Sequence, residues 1–256
     1  MNGNCWANSS NNSGHNFKTN PFMASIYLIP NTLGECDLNT VLPQAHFQLI
    51  ASIRYFIVED VRTARRFLKK VDRQIDIDSL TFYTLNRHTD LTQIAHYLTP
   101  IEQGQDVGII SEAGCPAVAD PGAEIVRIAQ QRGFDVIPLV GPSSVLLALM
   151  GSGFNGQNFA FNGYLPIEQA ERQKRIRQLE QRALQEHQSQ IFIETPYRNM
   201  QLFADLLQTC RQQTMLCVAC DLTLQTQYLR TLTVGQWKHQ QTLPDLNKRP
   251  TVFVIY

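Results

Sequence analysis

SEAGCPAVADPG, residues 111–122, separates an apolar run from a helix-forming run and decides the fold of this chain. A second break, Gly141-Pro142-Ser143-Ser144, follows another apolar run. Glycine, proline and small polar residues let a backbone turn sharply and approach a ligand closely. The two apolar runs, 106–110 and 135–140, have the composition of buried strands. Open α/β sheets bind ligands at the carboxyl ends of their strands, so both breaks are predicted to border one binding site.

The alternation of strand and helix extends over residues 24–140 and predicts an α/β domain there. Strands are predicted at 25–29, 55–58, 80–85, 107–110 and 136–140, with helices at 38–53, 61–71, 91–101 and 121–132 between them. Pro43 favours a later start for the first helix. Strands separated by helices are typical of a mainly parallel sheet covered on both faces. We therefore predict a five-stranded, mainly parallel amino-terminal domain.

The pattern changes after residue 141. Two more strands, 159–165 and 190–194, still alternate with helices at 169–187 and 199–210, but three further strands follow at 215–222, 228–234 and 251–256 with little helix between them. Neighbouring strands without crossover helices pair antiparallel. Residues 141–256 are therefore predicted to form an α+β domain with a largely antiparallel sheet. The Asn- and Ser-rich residues 1–23 lack the apolar run of a signal peptide and are expected to be a disordered leader.

Composition disfavours several functional classes. Lys and Arg total 22 and Asp and Glu total 22, so the chain as a whole does not attract polyanions. No apolar run approaches the roughly 18 residues of a membrane span, and a cytoplasmic protein is expected. The chain lacks the glycine patterns of dinucleotide-binding and P-loop proteins, which disfavours a nicotinamide dehydrogenase.

No metal site is expected either. Cys217 and Cys220 are spaced like zinc ligands, but they lie on a predicted strand, where residues three apart point to opposite faces. No second cysteine pair accompanies them, and the histidines show no metal-binding spacing. Six cysteines in 256 residues also do not indicate a disulfide framework.

The predicted helix 61–71 is strongly amphipathic. Its apolar residues share one arc, and the opposite arc of roughly 140° carries the basic residues. This arc, here called the basic stripe, comprises Arg62, Arg65, Arg66, Lys69, Lys70 and Arg73. It is either a solvated outer face or a binding surface for phosphates or substrate carboxylates. In the second case Arg62, Arg65 and Arg66 are the candidate substrate-binding residues.

Glu59 and Asp60 stand immediately before this helix. Acids at this position can cap the helix, hold a ligand hydroxyl or act as a general base. Glu59 and Arg62 are therefore candidates to face the substrate. The sequence does not identify a catalytic residue.

Motifs between about Ser25 and Tyr256 resemble, in the same order, those of the tetrapyrrole methylase superfamily, the class III S-adenosylmethionine methyltransferases. Within it they are most similar to the branch that 2′-O-methylates a cytidine ribose of small-subunit ribosomal RNA. The motifs are residues 30–34, Glu59-Asp60-Val61-Arg62, residues 111–116, Asp120-Pro121-Gly122, Gly141-Pro142-Ser143, Gly163-Tyr164-Leu165-Pro166, Glu194-Thr195-Pro196-Tyr197-Arg198 and Ala219-Cys220-Asp221-Leu222-Thr223.

This resemblance implies an S-adenosylmethionine-dependent methyltransferase that is a homodimer and binds its cofactor in a cleft between the two domains. The residues matched to cofactor contacts are Leu33, Gly34, Glu112, Ala113, Gly114, Cys115, Ser143, Ser144, Glu194 and Ala219. A methyl group on a sulfonium is already activated, so the protein must mainly align the acceptor and exclude water. A scarcity of acid and base residues is therefore compatible with an enzyme.

The chain departs from the ribosomal branch at several positions of its carboxyl half. Glu168 stands where the branch usually has lysine, Cys220 and Leu224 replace an arginine and a lysine, and Lys248-Arg249-Pro250 replaces Lys-Gly-Glu. Lost cations weaken the binding of a polyanion. Three hypotheses follow for the function: methylation of ribosomal RNA, methylation of a tetrapyrrole-like or other small anionic molecule, or cofactor binding without transfer.

Overall fold

The computed structural model describes residues 24–85 and 89–256. The predicted leader, residues 1–23, lies outside this part of the chain. Two five-stranded sheets organise the described residues. Among them, no helix combines the length and the apolar character that crossing a membrane requires.

The first sheet, the parallel sheet, confirms the predicted α/β architecture. Its strands are β1 Ser25–Ile29, β2 Tyr55–Val58, β3 Thr81–Thr84, β4 Val107–Ile110 and β5 Asp135–Pro138. They lie in the order β3-β2-β4-β1-β5, and every pairing is parallel. All residues of the central strands β1 and β4 are buried, because helices cover both faces.

The helices of this half are α1 Ala45–Ser52, α2 Val61–Val71, α3 Leu91–Tyr97, α4 Thr99–Glu102 and α5 Gly122–Gln131. Two predicted helices are interrupted. The first is reduced to a 3-10 turn, Leu38–Thr40, followed by α1, with Pro43 in the gap. The second is divided at Leu98 into α3 and α4, since Pro100 has no amide hydrogen to continue the helical ladder.

The second sheet, the mixed sheet, contains β6 Phe159–Tyr164, β7 Ser189–Ile193, β8 Met215–Cys220, β9 Tyr228–Thr233 and β10 Thr251–Ile255. Its order is β6-β7-β10-β8-β9. The β6–β7 pair is parallel and the other pairs are antiparallel, as expected for a largely antiparallel sheet.

Helices α6 Ser144–Ser152, α7 Gln169–Glu186, α8 Asn199–Thr209 and α9 Val234–Lys238 accompany the mixed sheet. The short α9 was not predicted; Thr233 and Gln236 form its capping box. Cys217 packs in one hydrophobic cluster of this sheet and Cys220 in the other. The prediction that these two cysteines point to opposite faces is therefore confirmed.

Candidate active site

A cleft with a volume of about 400 Å³ lies between the two sheets. One wall consists of loops that follow β1, β2 and β4, together with the start of α6. The other wall is formed by β6, β7, β8, β10 and the loops beside them. The volume falls in the range of roughly 300–1,000 Å³ that is usual for small-molecule sites. Both sequence breaks, 111–122 and 141–144, contribute residues to this cleft.

The structure brings every predicted cofactor residue except Gly34 to the lining of the cleft. The residues concerned are Leu33, Glu112, Ala113, Gly114, Cys115, Ser143, Ser144, Glu194 and Ala219. Gly34 instead packs against Leu224, in the segment that follows β8. A β-carbon at this position would lie 2.7 Å from the Cδ1 atom of Leu224, so the glycine lets the first loop approach the carboxyl half closely.

Hydrogen bonds hold the loop 111–122 against the first loop. Asn31 and Gly114 exchange backbone hydrogen bonds of 2.9 and 3.2 Å, and the Ser111 hydroxyl donates to the Gly114 carbonyl at 2.9 Å. The Asp120 carboxylate accepts from the backbone amides of Ala117 at 2.9 Å and Gly122 at 2.7 Å. These contacts fix a backbone that has few other constraints from secondary structure.

The same loop has an unusual backbone conformation. Gly114 has a φ angle of +72°, and Ala117 and Ala119 both have φ angles of +64°. A left-handed conformation costs an alanine roughly 1–2 kcal/mol. Asp120 stabilises it by accepting the Ala117 amide hydrogen. Strained backbone of this kind accumulates at binding sites, which agrees with the position of this loop on the cleft.

Cys115 joins the two sequence breaks. Its Sγ atom lies 3.4 Å from the carbonyl oxygen of Pro142. Burial raises the pKa of the Cys115 thiol above its ordinary value. The raised pKa favours the protonated thiol, which donates to this carbonyl.

Every charged residue in the described lining of the cleft is an acid. Within residues 24–85 and 89–256, the lining contains the carboxylates of Glu59, Glu112, Asp120 and Glu194 and no lysine, arginine or histidine. Desolvation raises the pKa of Glu112, a hydrogen bond with Thr63 lowers it, and the nearby charge of Asp60 raises it further. Burial likewise raises the pKa of Asp120, against the lowering effect of its two backbone hydrogen bonds.

Glu194 is the most deeply buried of these acids, with 1% of its side chain exposed. Its Oε1 atom accepts from the Thr195 amide at 2.6 Å and pairs with an Arg198 nitrogen at 2.6 Å. Its Oε2 atom is buried and has no hydrogen-bond partner in the described structure. Buried carboxylate oxygens are normally paired, so this atom is suited to accept from a ligand donor.

The sequence left several roles open for Glu59 and Asp60, and the structure separates these two residues. Asp60 caps α2, because its carboxylate accepts from the Thr63 amide at 2.7 Å. Glu59 lines the cleft. Arg62 is exposed on α2 and does not line the cleft, so the structure brings only one of the two substrate-facing candidates to it.

The basic stripe is exposed on the outer face of α2 and, at Arg73, just beyond its end, while Ala64, Phe67, Leu68 and Val71 are buried. Part of the stripe has internal contacts. Lys70 pairs with Glu35 at 2.6 Å, Lys69 donates to the carbonyls of Arg73 and Ile75, and the Arg65 guanidinium lies 5.6 Å from the Phe82 ring centroid.

Arg62 and Arg66 have no ion pair with a residue that the structure describes. Among the three predicted substrate-binding arginines, Arg62, Arg65 and Arg66, these two therefore interact least with the other described residues.

Two departures from the ribosomal branch have a structural role. Glu168 caps α7 by accepting from the Glu171 amide at 2.8 Å. Arg249 forms an ion pair of 2.8 Å with Asp221 beside the cleft and also donates to the Thr226 carbonyl at 2.6 Å. Asp221 has a φ angle of +49°, and its side chain is 8% exposed. The pair therefore fixes a strained loop next to the cleft residue Leu222.

Other lining residues were not identified from the sequence. Phe161, Ile193 and Val252 reach the cleft from β6, β7 and β10. They are apolar residues on strands, and the alternation of the strands cannot reveal which of them face a ligand. Tyr164 also lines the cleft from β6. It belongs to the motif Gly163-Tyr164-Leu165-Pro166, which could have indicated from the sequence that β6 borders the site.

Comparisons with known proteins agree with this geometry. A protein of Synechocystis named ribosomal RNA small subunit methyltransferase I is 29% identical over 201 residues, which cover 78% of this chain and 68% of that protein. A protein of the same name from Pseudomonas aeruginosa is 24% identical over 225 residues, covering 88% and 75% of the two chains. No family model matches the chain.

Two solved structures share the fold. The methyltransferase CobJ superposes with a TM-score of 0.60 at 16% identity, covering 90% of this chain and 93% of CobJ. The uroporphyrin-III C-methyltransferase of Thermus thermophilus superposes with a TM-score of 0.51 at 14% identity, covering 91% of each chain. The predicted resemblance and the predicted fold are both confirmed.

Proposed function

We propose that this chain, a relative of the ribosomal RNA small subunit methyltransferase I proteins with a tetrapyrrole methylase-like fold, methylates RNA with S-adenosylmethionine as the donor. That it is related to methyltransferases follows from the comparisons. The donor, the acceptor and the roles of the site residues are our proposals. The observation that carries them is the acidic cleft between the sheets, beside an exposed basic stripe.

The cleft fits the donor in shape and in charge. Apolar side chains such as Leu33, Phe161 and Val252 suit the adenosyl group, and the buried Glu194 Oε2 atom suits one of its amino or hydroxyl donors. When bound, S-adenosylmethionine supplies a methyl group on a positively charged sulfur. Carboxylates attract such a charge, and among the described residues no cation lines the cleft beside them.

We infer the acceptor from the positions of the charged groups: acids line the cleft, and the basic stripe lies outside it. A small anionic molecule would have to place its carboxylates beside those of Glu112 and Asp120, which costs electrostatic energy. RNA can leave its phosphates outside, on Arg62 and Arg66, and insert a neutral ribose hydroxyl. The names of the relatives also favour RNA, and within it the ribose 2′-hydroxyl that the sequence resemblance implies.

Two side chains at the entrance suit a nucleotide. Val118, in the loop after β4, is 50% exposed, and Tyr164, at the end of β6, is 49% exposed. Both line the cleft, one from each wall. Unpaired RNA bases are commonly bound by stacking on aromatic side chains. We assign Tyr164 to such a contact, Glu59 to the acceptor hydroxyl and the walls of the cleft to the exclusion of water.

We also propose a homodimer in the cytoplasm, where the RNA acceptor would be assembled into ribosomes. Val140, four residues before α6, and Leu146 and Met150, one turn apart on α6, are large apolar side chains with exposures of 71%, 50% and 76%. Exposed apolar groups this close together favour an interface. The boundary between two domains at residue 141 remains part of the proposal; α6 packs on the mixed sheet, which favours it.

The deciding experiment supplies purified protein with S-adenosylmethionine labelled on its methyl group. Three acceptors are offered separately: ribosomal RNA from cells lacking this protein, assembled small subunits from the same cells, and a carboxylated tetrapyrrole. We expect label in RNA, recovered as a 2′-O-methylated nucleoside by mass spectrometry. Label in the tetrapyrrole would support the small-molecule hypothesis. Tight binding of the donor without transfer to any acceptor would support a protein that only binds the cofactor.

A further inference from the structure

Two turns of the carboxyl half carry bulky exposed side chains beside the cleft. One turn follows β6 and the other follows β7, and these strands are parallel neighbours in which Tyr164 pairs with Ile193. Because parallel strands end on the same side of a sheet, the two turns lie next to each other. Ile167 on the first turn is 70% exposed, and Tyr197 on the second is 75% exposed. These two side chains, here called the apolar rim, adjoin the cleft through its lining residues Tyr164 and Pro196.

Buried hydrogen bonds hold the first turn in place. Arg172 of α7 donates to the carbonyls of Pro166 at 3.2 Å and Ile167 at 2.5 Å. Its Nε atom also donates to the Asp205 carboxylate of α8 at 2.7 Å. The two paired side chains are only 1% and 3% exposed, and such a buried pair is costly to separate. Ile167 is therefore exposed on a turn with a fixed backbone.

The second turn is fixed as well. The Arg198 amide donates to the Thr195 carbonyl at 2.9 Å, and the Lys248 amide donates to the Pro196 carbonyl at 3.0 Å. Tyr197 lies between these bonds. Within the described part of the chain its ring stacks on no other aromatic ring. A rigid turn thus presents an uncovered aromatic face to the surroundings of the cleft.

Cations lie beside the apolar rim, in contrast to the acidic lining of the cleft. Lys248 is exposed and forms no ion pair with a described residue. Its bond to Pro196 places it next to the turn that carries Tyr197. Arg198 keeps 29% of its side chain exposed although it pairs with Glu194. An aromatic face next to a cation is the combination that binds an unpaired nucleotide, with the base on the ring and the phosphate on the cation.

We propose that the apolar rim binds a nucleotide adjacent to the one that is methylated, with its base on Tyr197 and Ile167 and its phosphate on Lys248. This inference rests on the proposed function and names the class of acceptor, an RNA strand that is unpaired around its target. In a duplex the faces of the bases are covered by their neighbours, so the rim does not reach them.

The basic stripe lies on the other side of the cleft. Arg62, in the first turn of α2, follows the lining residue Glu59 by three positions. One strand of RNA therefore runs from the stripe across the cleft to the apolar rim, with the acceptor ribose between two sets of contacts. A second copy of the chain seated on the rim would instead cover the cleft beside Tyr164 and Pro196, which has to admit the acceptor.

The test compares the binding of unpaired and paired RNA by the purified protein. The first probe is a single-stranded RNA of about ten nucleotides with the fluorescent base 2-aminopurine at its centre, and the second is its duplex with the complementary strand. Stacking on an aromatic ring quenches this base, so its fluorescence reports the contact itself. We expect Tyr197→Ala to bind the single strand about five- to tenfold more weakly and to lose the quenching, with unchanged affinity for the duplex. Tyr197→Phe keeps the ring and should behave like the unmodified protein.

Phe159→Ala is the matched control. Phe159 is a 40% exposed aromatic residue at the start of β6, the opposite end of the strand from Tyr164. Its affinity for the single strand should stay within about twofold of the unmodified protein. Lys248→Gln should weaken single-strand binding and reduce the salt dependence by about one phosphate contact.

Three results would overturn the inference. They are quenching that persists in Tyr197→Ala, an equal loss of affinity for single strand and duplex in that variant, and a change of its oligomeric state in size-exclusion chromatography, which would make the rim a subunit interface. Failure of the unmodified protein to bind either RNA would instead remove the proposed function.

Discussion

The outer face of α2 and the cleft between the sheets carry opposite charge. The basic stripe presents six cations along α2 and the two residues after it, and the cleft is lined by four carboxylates with no described lysine or arginine among the lining residues. The chain as a whole has equal numbers of acidic and basic residues. The comparison shows that a neutral composition can conceal two surfaces of opposite charge, for which we propose a polyanion and a sulfonium as ligands.

The largest effect should come from breaking the cleft while the basic stripe is left intact. At Gly141 an added β-carbon would lie 2.3 Å from the Cβ and Cγ atoms of the rigid Pro30 ring. Gly141→Ala must displace the loop that carries Ser143 and Ser144. We expect a loss of about 1–3 kcal/mol in unfolding free energy and at least about tenfold weaker cofactor binding, measured by urea denaturation and calorimetry.

Gly156→Ala is the control for this change, since nothing lies within 4 Å of an added β-carbon there. It should leave cofactor affinity unchanged. The affinity of Gly141→Ala for RNA should stay within about twofold of the unmodified protein, because the stripe does not depend on this loop. A Gly141→Ala variant with normal cofactor affinity would contradict the assignment of this loop.

The reverse experiment breaks the stripe and leaves the cleft intact. The double variant Arg62→Glu, Arg66→Glu should bind ribosomal RNA roughly tenfold or more weakly and show a flatter dependence of affinity on salt, since contacts with phosphates are lost. Filter binding over a series of salt concentrations measures both quantities. Cofactor affinity should not change.

Lys174→Glu, Arg177→Glu on α7 changes the net charge by the same amount and serves as the control. Both residues are exposed, and Lys174 lies 4.0 Å from Glu171. If this pair weakens RNA binding as much as the pair on α2, the stripe is a solvated face and the attraction depends only on total charge.

A third variant tests an ion pair beside the wall of the cleft that the mixed sheet forms. Arg249→Gly restores the small residue of the ribosomal branch but removes the partner of Asp221, whose side chain is 8% exposed. We expect a loss of about 1–2 kcal/mol in unfolding free energy, because a buried carboxylate is left without its cation. Chemical denaturation provides the measurement.

Arg132→Gly tests the same chemistry at the surface. Arg132 pairs with Glu102 at 3.1 Å, but the two side chains are 36% and 52% exposed, so the loss should be smaller, at or below about 1 kcal/mol. Equal losses in the two variants would mean that the Asp221 pair contributes no more than a surface pair.

The smallest effect concerns the thiol in the cleft. Burial raises the pKa of Cys115, so the reactive thiolate is scarce at neutral pH and its alkylation should accelerate as pH rises beyond the range of an ordinary thiol. S-adenosylmethionine should slow the alkylation of Cys115 by about two- to fivefold and leave Cys36, which is outside the cleft lining, unaffected. Peptide mass mapping distinguishes the two sites, and equal protection of both would argue against ligand contact at Cys115.

Much of the fold follows from local patterns. The buried strands β1 and β4 are continuous apolar runs, and α2 has one apolar face and a capping acid, Asp60. Such signals depend on neighbours in sequence, and the predicted elements agree with them. The later start of the first helix predicted from Pro43 is confirmed, since α1 begins at Ala45. The errors lie at Pro100, where a predicted helix is divided, and at α9, which has only five residues.

The site could be predicted only in part. Resemblance identified the loops that line the cleft, including Gly114 and Ser143, because glycine and small polar residues mark the required turns. It could not show that Glu59 and Asp60 have different roles, or that Arg249 reaches Asp221 across 28 positions of sequence. These facts depend on the direction of a side chain and on long-range contact.

The sequence alone determined the succession of strands and helices along the chain, the amphipathic character of α2 and the positions of the loops at the strand ends. Each of these features depends on residues that are close in the chain. Tertiary structure decided where charge accumulates. Acids at 59, 112, 120 and 194 come from three separate segments, and only the packing of the two sheets places them around one volume. Electrostatic interaction depends on distance in space, which spacing along a chain does not provide.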